Sequence, residues 1–220
     1  MESLWKFELK IYLGIYYMPR YSKKKWNKKY VKQSHNCYSY MLNKINKKYV
    51  KKCKSYMKKT KKRGCHFLKA QPGMYSGMKD VKHLKNYNCN MLNRRILADN
   101  KHIIKTKKNR KCPKNYYKGA LYIHPKRGYH FYRQDNDGTW SHKDGLAKST
   151  KRDAKNRIIR NIGKSNRKYK PTKKEIGLYY SRNCATYCIP EDSRKKFFSA
   201  YTRKRKKSKK KRKNKKTRKR

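Results

Sequence analysis

Two histidines and one cysteine carry the sharpest chemical signal in this chain. His130 and His142 lie in Tyr129–Gly145, YHFYRQDNDGTWSHKDG, where alternating residues flank an Asp-Asn-Asp-Gly turn signal and predict a β-hairpin. A five-residue loop from Gln134 to Gly138 sets Arg133 opposite Thr139 and His130 directly opposite His142, with β-carbons about 4.5–5.5 Å apart on one face. A two-residue turn instead makes the pair diagonal or splits it between faces. Upstream, Cys37 stands at the predicted start of an amphipathic helix, where unpaired N–H groups favour a thiolate. A thiolate, an imidazole that takes and returns its proton, and a polar partner that fixes the imidazole tautomer are the parts of a cysteine hydrolase. The plainer alternative is a buried cysteine and two strand histidines.

The elements that must position these residues follow from periodicity. Trp5, Phe7, Leu9, Ile11, Leu13, Ile15 and Tyr17 alternate with Lys6, Glu8 and Lys10, a period of two that predicts a strand with one buried face before Pro19. From Tyr38, the apolar positions Met41, Leu42, Ile45, Tyr49, Cys53, Tyr56 and Met57 follow the spacing of one helical face, predicting a single long helix with Cys37 in its first turn. Ser34 or Asn36 is its expected cap, and Gly64 lies past its end. Gln71-Pro72-Gly73 is a turn signal, a second helix is expected from about Val81 to Ala98, and Lys101–Lys111 is expected to loop outward. Leu121-Tyr122-Ile123 is a short apolar run ahead of the hairpin, and the pieces at Ile158–Ile159, Leu178–Tyr180 and Tyr187–Ile189 have no secure assignment. Together they describe an α+β fold, a single domain over residues 1–200, with a disordered polybasic tail over 201–220.

Charge dominates the composition. The 220 residues carry a formal net charge of +58, which directs the chain towards nucleic acid, anionic lipid or another acidic partner. Fifteen of the eighteen residues from Arg203 to Arg220 are basic, so most of the charge belongs to the body rather than the tail. The carboxylates are uneven: none lies between Leu9 and Lys79, whereas Asp135, Asp137, Asp144 and Asp153 gather around the hairpin and suggest a separate task there. Seven cysteines at irregular spacing do not read as a complete disulfide framework and fit a reducing compartment better. Cys184 and Cys188 lack a matching Cys/His pair for zinc, so a buried thiol or a local disulfide is the expectation there, and no cofactor or metal is called for. Lys6, Glu8 and Lys10 break the apolar start, so neither a signal peptide nor a transmembrane segment is expected.

Cys at a helix start, a Pro-Gly turn further on, a strand-opening His and a second His twelve positions later make the segment from Gln33 to Gly145 resemble the NlpC/P60 superfamily of papain-like cysteine peptidases. The resemblance implies a papain-like architecture in which a Cys-bearing helix packs on a small antiparallel sheet. It also implies Cys37 as nucleophile, His130 as general base and His142 as the orienting residue, with the Cys37 N–H helping an oxyanion hole. The sequence departs from the family at Asn36-Cys37-Tyr38, which replaces Asp-Cys-Ser, at Met74 in place of the turn's Asp, and at Phe131 after His130. The string HFYRQDNDGTWSHKDG also looks like that of uncharacterised proteins of giant DNA viruses and bacteria. With the heavy use of residues having AT-rich codons, this implies a viral protein made in the host cytoplasm or nucleus and packaged in the virion.

Two functions are therefore expected: a thiol-dependent hydrolase or acyltransferase held in place by polyanion binding, or a non-catalytic nucleic-acid-binding protein using Arg203–Arg220 and its lysine faces. The peptide or acyl substrate is not specified by the sequence.

Overall fold

The computed structural model describes residues 18–62, 64–79, 87–171 and 177–191. The expected strand at Trp5–Tyr17, part of the second helix and the polybasic tail lie outside the described residues. Those described form a mixed helix and antiparallel-sheet fold. Its helices are α1 (Lys23–Trp26), α2 (Lys29–Ser34), α3 (Cys37–Met41), α4 (Lys47–Thr60) and α5 (Cys89–Asp99). The strands are β1 (Ile104–Thr106), β2 (Tyr116–His124), β3 (Gly128–Gln134), β4 (Trp140–Lys143), β5 (Ser149–Thr150), β6 (Lys168–Tyr169), β7 (Leu178–Tyr179) and β8 (Arg182–Pro190). Six strands make one sheet in the order β1-β8-β2-β3-β4-β5, and β6 and β7 form a separate ribbon.

Alternation along the strands builds two cores. Leu121 and Ile123 of β2, Phe131 of β3 and Tyr187 and Ile189 of β8 meet Tyr38 and Met41 of α3 and Leu92 and Ile96 of α5 on one face. Ala120, Tyr122, Tyr132 and Trp140 point to the other, where Ile159, Ile162 and Tyr180 cover them. Gly119 is what lets α3 lie so close to the sheet: a Cβ there would stand 2.6 Å from Ile189 Cδ1 and 2.8 Å from Met41 Cγ.

Three expectations need correction. The long helix from Cys37 is two helices, α3 and α4, because Asn43 takes a left-handed backbone (φ 49°) and Asn46 starts a new helix by accepting the Lys48 and Tyr49 N–H groups. Apolar periodicity continues across the break, so spacing alone could not reveal it. The Lys101–Lys111 segment is not all loop, since Ile104–Thr106 pairs with β8.

The cysteines also differ from expectation: Cys53–Cys65, Cys89–Cys184 and Cys112–Cys188 are disulfides with Cα separations of 5.7, 5.0 and 5.5 Å, and Cys37 alone is free. Strict alternation would put Cys184 and Cys188 on one face of β8. A register shift separates them: Leu121 pairs with Ala185 but Tyr122 with Asn183, so Cys184 is an extra, bulged residue. Cys184 thereby packs against the core that holds α5, next to Cys89 at that helix's start, while Cys188 reaches the loop before β2. The bulge is invisible in the sequence, and with it the pairing.

Candidate active site

The hairpin forms, in a different register. Its ladder pairs Tyr132 with His142, Arg133 with Ser141 and Gln134 with Trp140, two positions from the expected pairing. The cause is a shorter turn: Asp135 N–H donates to Thr139 O at 2.8 Å, Gly138 N–H to Asp135 O at 3.0 Å, and Gly138 supplies the positive φ (76°) that closes Asn136–Gly138. Thr139 further caps the turn by donating its N–H and hydroxyl to Asp137 Oδ1. A shift of two keeps every residue on its face. His130 and His142 are therefore diagonal rather than opposed, and long planar rings span that diagonal: His130 Nε2 lies 2.8 Å from His142 Nδ1.

The tautomers follow from the last member of the chain. His142 Nε2 lies 2.9 Å from the Arg152 carbonyl, which can only accept, so His142 carries its proton on Nε2 and its Nδ1 accepts from His130 Nε2–H. His130 Nδ1 is then a bare lone pair, and it has no hydrogen-bond partner among the described residues. Aromatic walls hold the dyad: Tyr180 stacks on His130 at 5.1 Å and Tyr132 meets it edge-on at 4.8 Å. Burial holds both imidazoles below the ordinary histidine range, with the neighbouring His142 and Lys143 adding to the effect on His130. Both rings are neutral at pH 7.

Cys37 begins α3, and Asn36 is its cap, its Oδ1 accepting the Ser39 N–H at 3.1 Å and its amide donating to Ala70 O at 2.8 Å. Tyr40 OH reaches Ser141 Oγ at 2.7 Å, and Arg133 spans from the hairpin to Asn43 and stacks over Tyr40, so β3, β4 and α3 are locked together. The thiol meets the sheet where the β3–β4 ladder has ended. The Phe131 N–H, one residue beyond the last ladder pair, is directed at the sulfur. Cys37 packs with Phe131 in the α3 core, whereas His130 faces the other side of the sheet among Tyr132 and Tyr180, and no hydrogen bond links Cys37 to His130.

The expectation of an easily ionised thiol is overturned. Cys37 is only 6% exposed, and burial pushes its thiol up to about 12, with Asp144 adding to the rise. The Phe131 N–H, Lys143 and Lys69 act in the thiolate's favour but do not outweigh desolvation. A helix of five residues adds too little dipole to change that.

Three further residues complete the surroundings, of which the sequence marks only Asp144, as part of the acidic cluster at the hairpin. Asp144 Oδ1 lies 3.8 Å from His130 Nδ1 and is 47% exposed, and its carboxylate raises both the His142 imidazole and the Cys37 thiol. Lys143 is wholly buried and its ammonium donates to Lys32 O, His35 O and Gly145 O at 2.9, 2.7 and 2.5 Å; burial brings it down to about 7. Asp99 accepts the Tyr38 hydroxyl and Gly73 N–H on Oδ2, at 2.8 and 2.7 Å, and the Ser76 N–H on Oδ1 at 2.8 Å. Asp99, at the end of α5, thus anchors the Gly73 turn and holds bulky Tyr38 in the core. Nothing in local spacing connects residues 61 positions apart.

Among the described residues no group of three or more His, Cys, Asp or Glu is arranged to hold a metal ion, and no helix is long and apolar enough to cross a membrane. Comparison with family models, with curated proteins and with solved structures found no match.

Proposed function

We propose that this chain is a thiol-dependent hydrolase or acyltransferase of NlpC/P60-like type, acting on a peptide, amide or ester carbonyl. The observation that supports it most is the Arg152 O–His142–His130 relay, which leaves one unprotonated nitrogen, His130 Nδ1, in a chain whose one free thiol is Cys37. A structural histidine pair satisfies its polar atoms; here the terminal lone pair is bare and buried, with His130 only 1% exposed.

Thiol and imidazole start neutral, so the chemistry is general-base catalysis rather than attack by a resting thiolate. As Cys37 Sγ adds to the carbonyl carbon, its proton passes to His130 Nδ1, and the imidazolium is stabilised by His142 behind it and Asp144 in front. His130 then returns the proton to the departing amine or alcohol, and water releases the acyl group in a hydrolase, or a second nucleophile does so in a transferase. The test is acylation of Cys37 by an activated aryl ester, read by intact mass. His130→Ala should slow acylation by about 10²–10⁴-fold, and His142→Ala should slow it less. Equal rates in the three proteins would sink the proposal.

A second reading rests on its own observation. All seven lysines of α4, from Lys47 to Lys59, are exposed on one solvated face, which suits a polyanion better than a neutral substrate. Under that reading nucleic-acid binding is tight, salt-sensitive and unchanged in Cys37→Ser. The two are compatible, since such a face can localise an enzyme.

A further inference from the structure

Six of the seven cysteines are used structurally, and each pair joins separate parts of the fold. Cys53–Cys65 ties α4 to the 3₁₀ turn His66–Leu68, which leads directly to Ala70, the residue whose carbonyl holds the cap of Cys37. Cys89–Cys184 ties the start of α5 to the bulge of β8, and Asp99, at the other end of α5, anchors Tyr38 and the Gly73 turn. Cys112–Cys188 ties the loop before β2 to the same strand, across 76 residues. Three independent Cα pairings within bonding range, in a chain whose seventh cysteine stands apart at the candidate site, do not arise in a protein meant to keep seven thiols.

We infer that the working form of this protein is an oxidised one, carrying three disulfides and a single thiol at Cys37, and that a disulfide-donating thiol oxidoreductase must act on it before it works. Each bond forms by dithiol–disulfide exchange. A protein thiolate attacks the carrier's disulfide, a second protein thiolate displaces the carrier, and the carrier leaves as a dithiol holding the two electrons and two protons. Three such exchanges complete the fold. Cys37 escapes because it is buried at the strand edge without a cysteine partner, and its raised thiol supplies little of the thiolate that exchange requires.

The test needs no substrate. The full-length chain is equilibrated in a mixture of reduced and oxidised glutathione, quenched with acid, denatured and alkylated with N-ethylmaleimide, then mapped by peptide mass. The expected result is one adduct, on Cys37, three cystine-linked peptide pairs with the connectivities above, and a chain about 6 Da lighter than its fully reduced form. Seven adducts at equilibrium, or a map in which Cys37 is bridged, would overturn the inference. A second measurement guards against misfolding. Cys112→Ser/Cys188→Ser should melt at lower temperature than wild type and lose its further drop on reduction at that bond, whereas Cys37→Ser should melt as wild type in both conditions. Reductant leaving the wild-type melting temperature unchanged also overturns it. None of these readouts involves His130, so the outcome is independent of whether Cys37 is acylated.

Discussion

Helix α4 and the β3–β4 hairpin place their charges in opposite ways. The helix sets seven lysines in water and buries Cys53; the hairpin buries Arg133, Asp135, His130, His142 and Lys143, each nearly inaccessible. Solvated charges act additively and weakly, whereas a buried polar group is costly unless its partners are in place. The helix is therefore tolerant of change and tuned for long-range attraction. The hairpin holds together only as a unit: Arg133 donates to Asp135 Oδ1 through Nε and Nη2, at 3.1 and 2.7 Å, and meets Asn43 and Tyr40, binding the histidine strand to the cysteine helix.

That contrast can be broken at several points. Removing Arg133 should do the most damage. Arg133→Met leaves the Asp135 carboxylate buried without its partner and should cost about 3–5 kcal/mol in urea unfolding, while Lys51→Ala on α4 should stay within about 0.5 kcal/mol. A small loss at Arg133 would mean that the hairpin's burial is not what holds α3 in place.

Acid offers a second test. His35 is buried, its Nδ1 shared between Ser34 Oγ and Val31 O while its Nε2 accepts the Asn46 N–H at 2.8 Å. Burial brings it down to about 4, and His130 and His142 are lowered as well. A histidine whose folded value lies below its unfolded one binds fewer protons when folded. Its contribution is intact above about pH 6.5 and is lost as pH falls towards 4, at roughly 3 kcal/mol for His35 alone. Denaturant titrations at pH 7.5 and 4.5 should show that loss, and it should shrink in His35→Gln. A stability flat across this range would mean that these histidines are not held neutral.

The smallest effect is expected on the helix. Replacing Lys51, Lys52, Lys58 and Lys59 with Gln should flatten the salt dependence of duplex binding by up to about 0.9 log units per lost phosphate contact, with unchanged acylation of Cys37. An unchanged slope would move the polyanion surface elsewhere.

Much of the candidate site was legible because period-two alternation survives errors in register. His130 and His142 share a face at any even shift, so their contact was predictable though their pairing was not. The helix start was legible to within two residues, as Ser34 or Asn36, because capping is a local interaction, and Asn36 is the cap that forms. The break between α3 and α4 was not, since Leu42 and Ile45 keep the helical spacing through a turn that Asn43 and Asn46 create. Asp99 and Lys143 escaped for a different reason, since their roles lie in carbonyls, N–H groups and hydroxyls contributed by other elements, and Asp144 was legible only as one acid of a cluster.

By itself the sequence determined the hairpin, the shared face of its two histidines and the excess of positive charge, which depend on composition or on neighbours a few residues apart. Tertiary structure decided the remainder. It set which six cysteines join, which nitrogen of His130 is bare, and that the thiol is protonated rather than ionised. Each of these turns on desolvation and on contacts across the sheet, which are properties of the packed chain and not of any one segment.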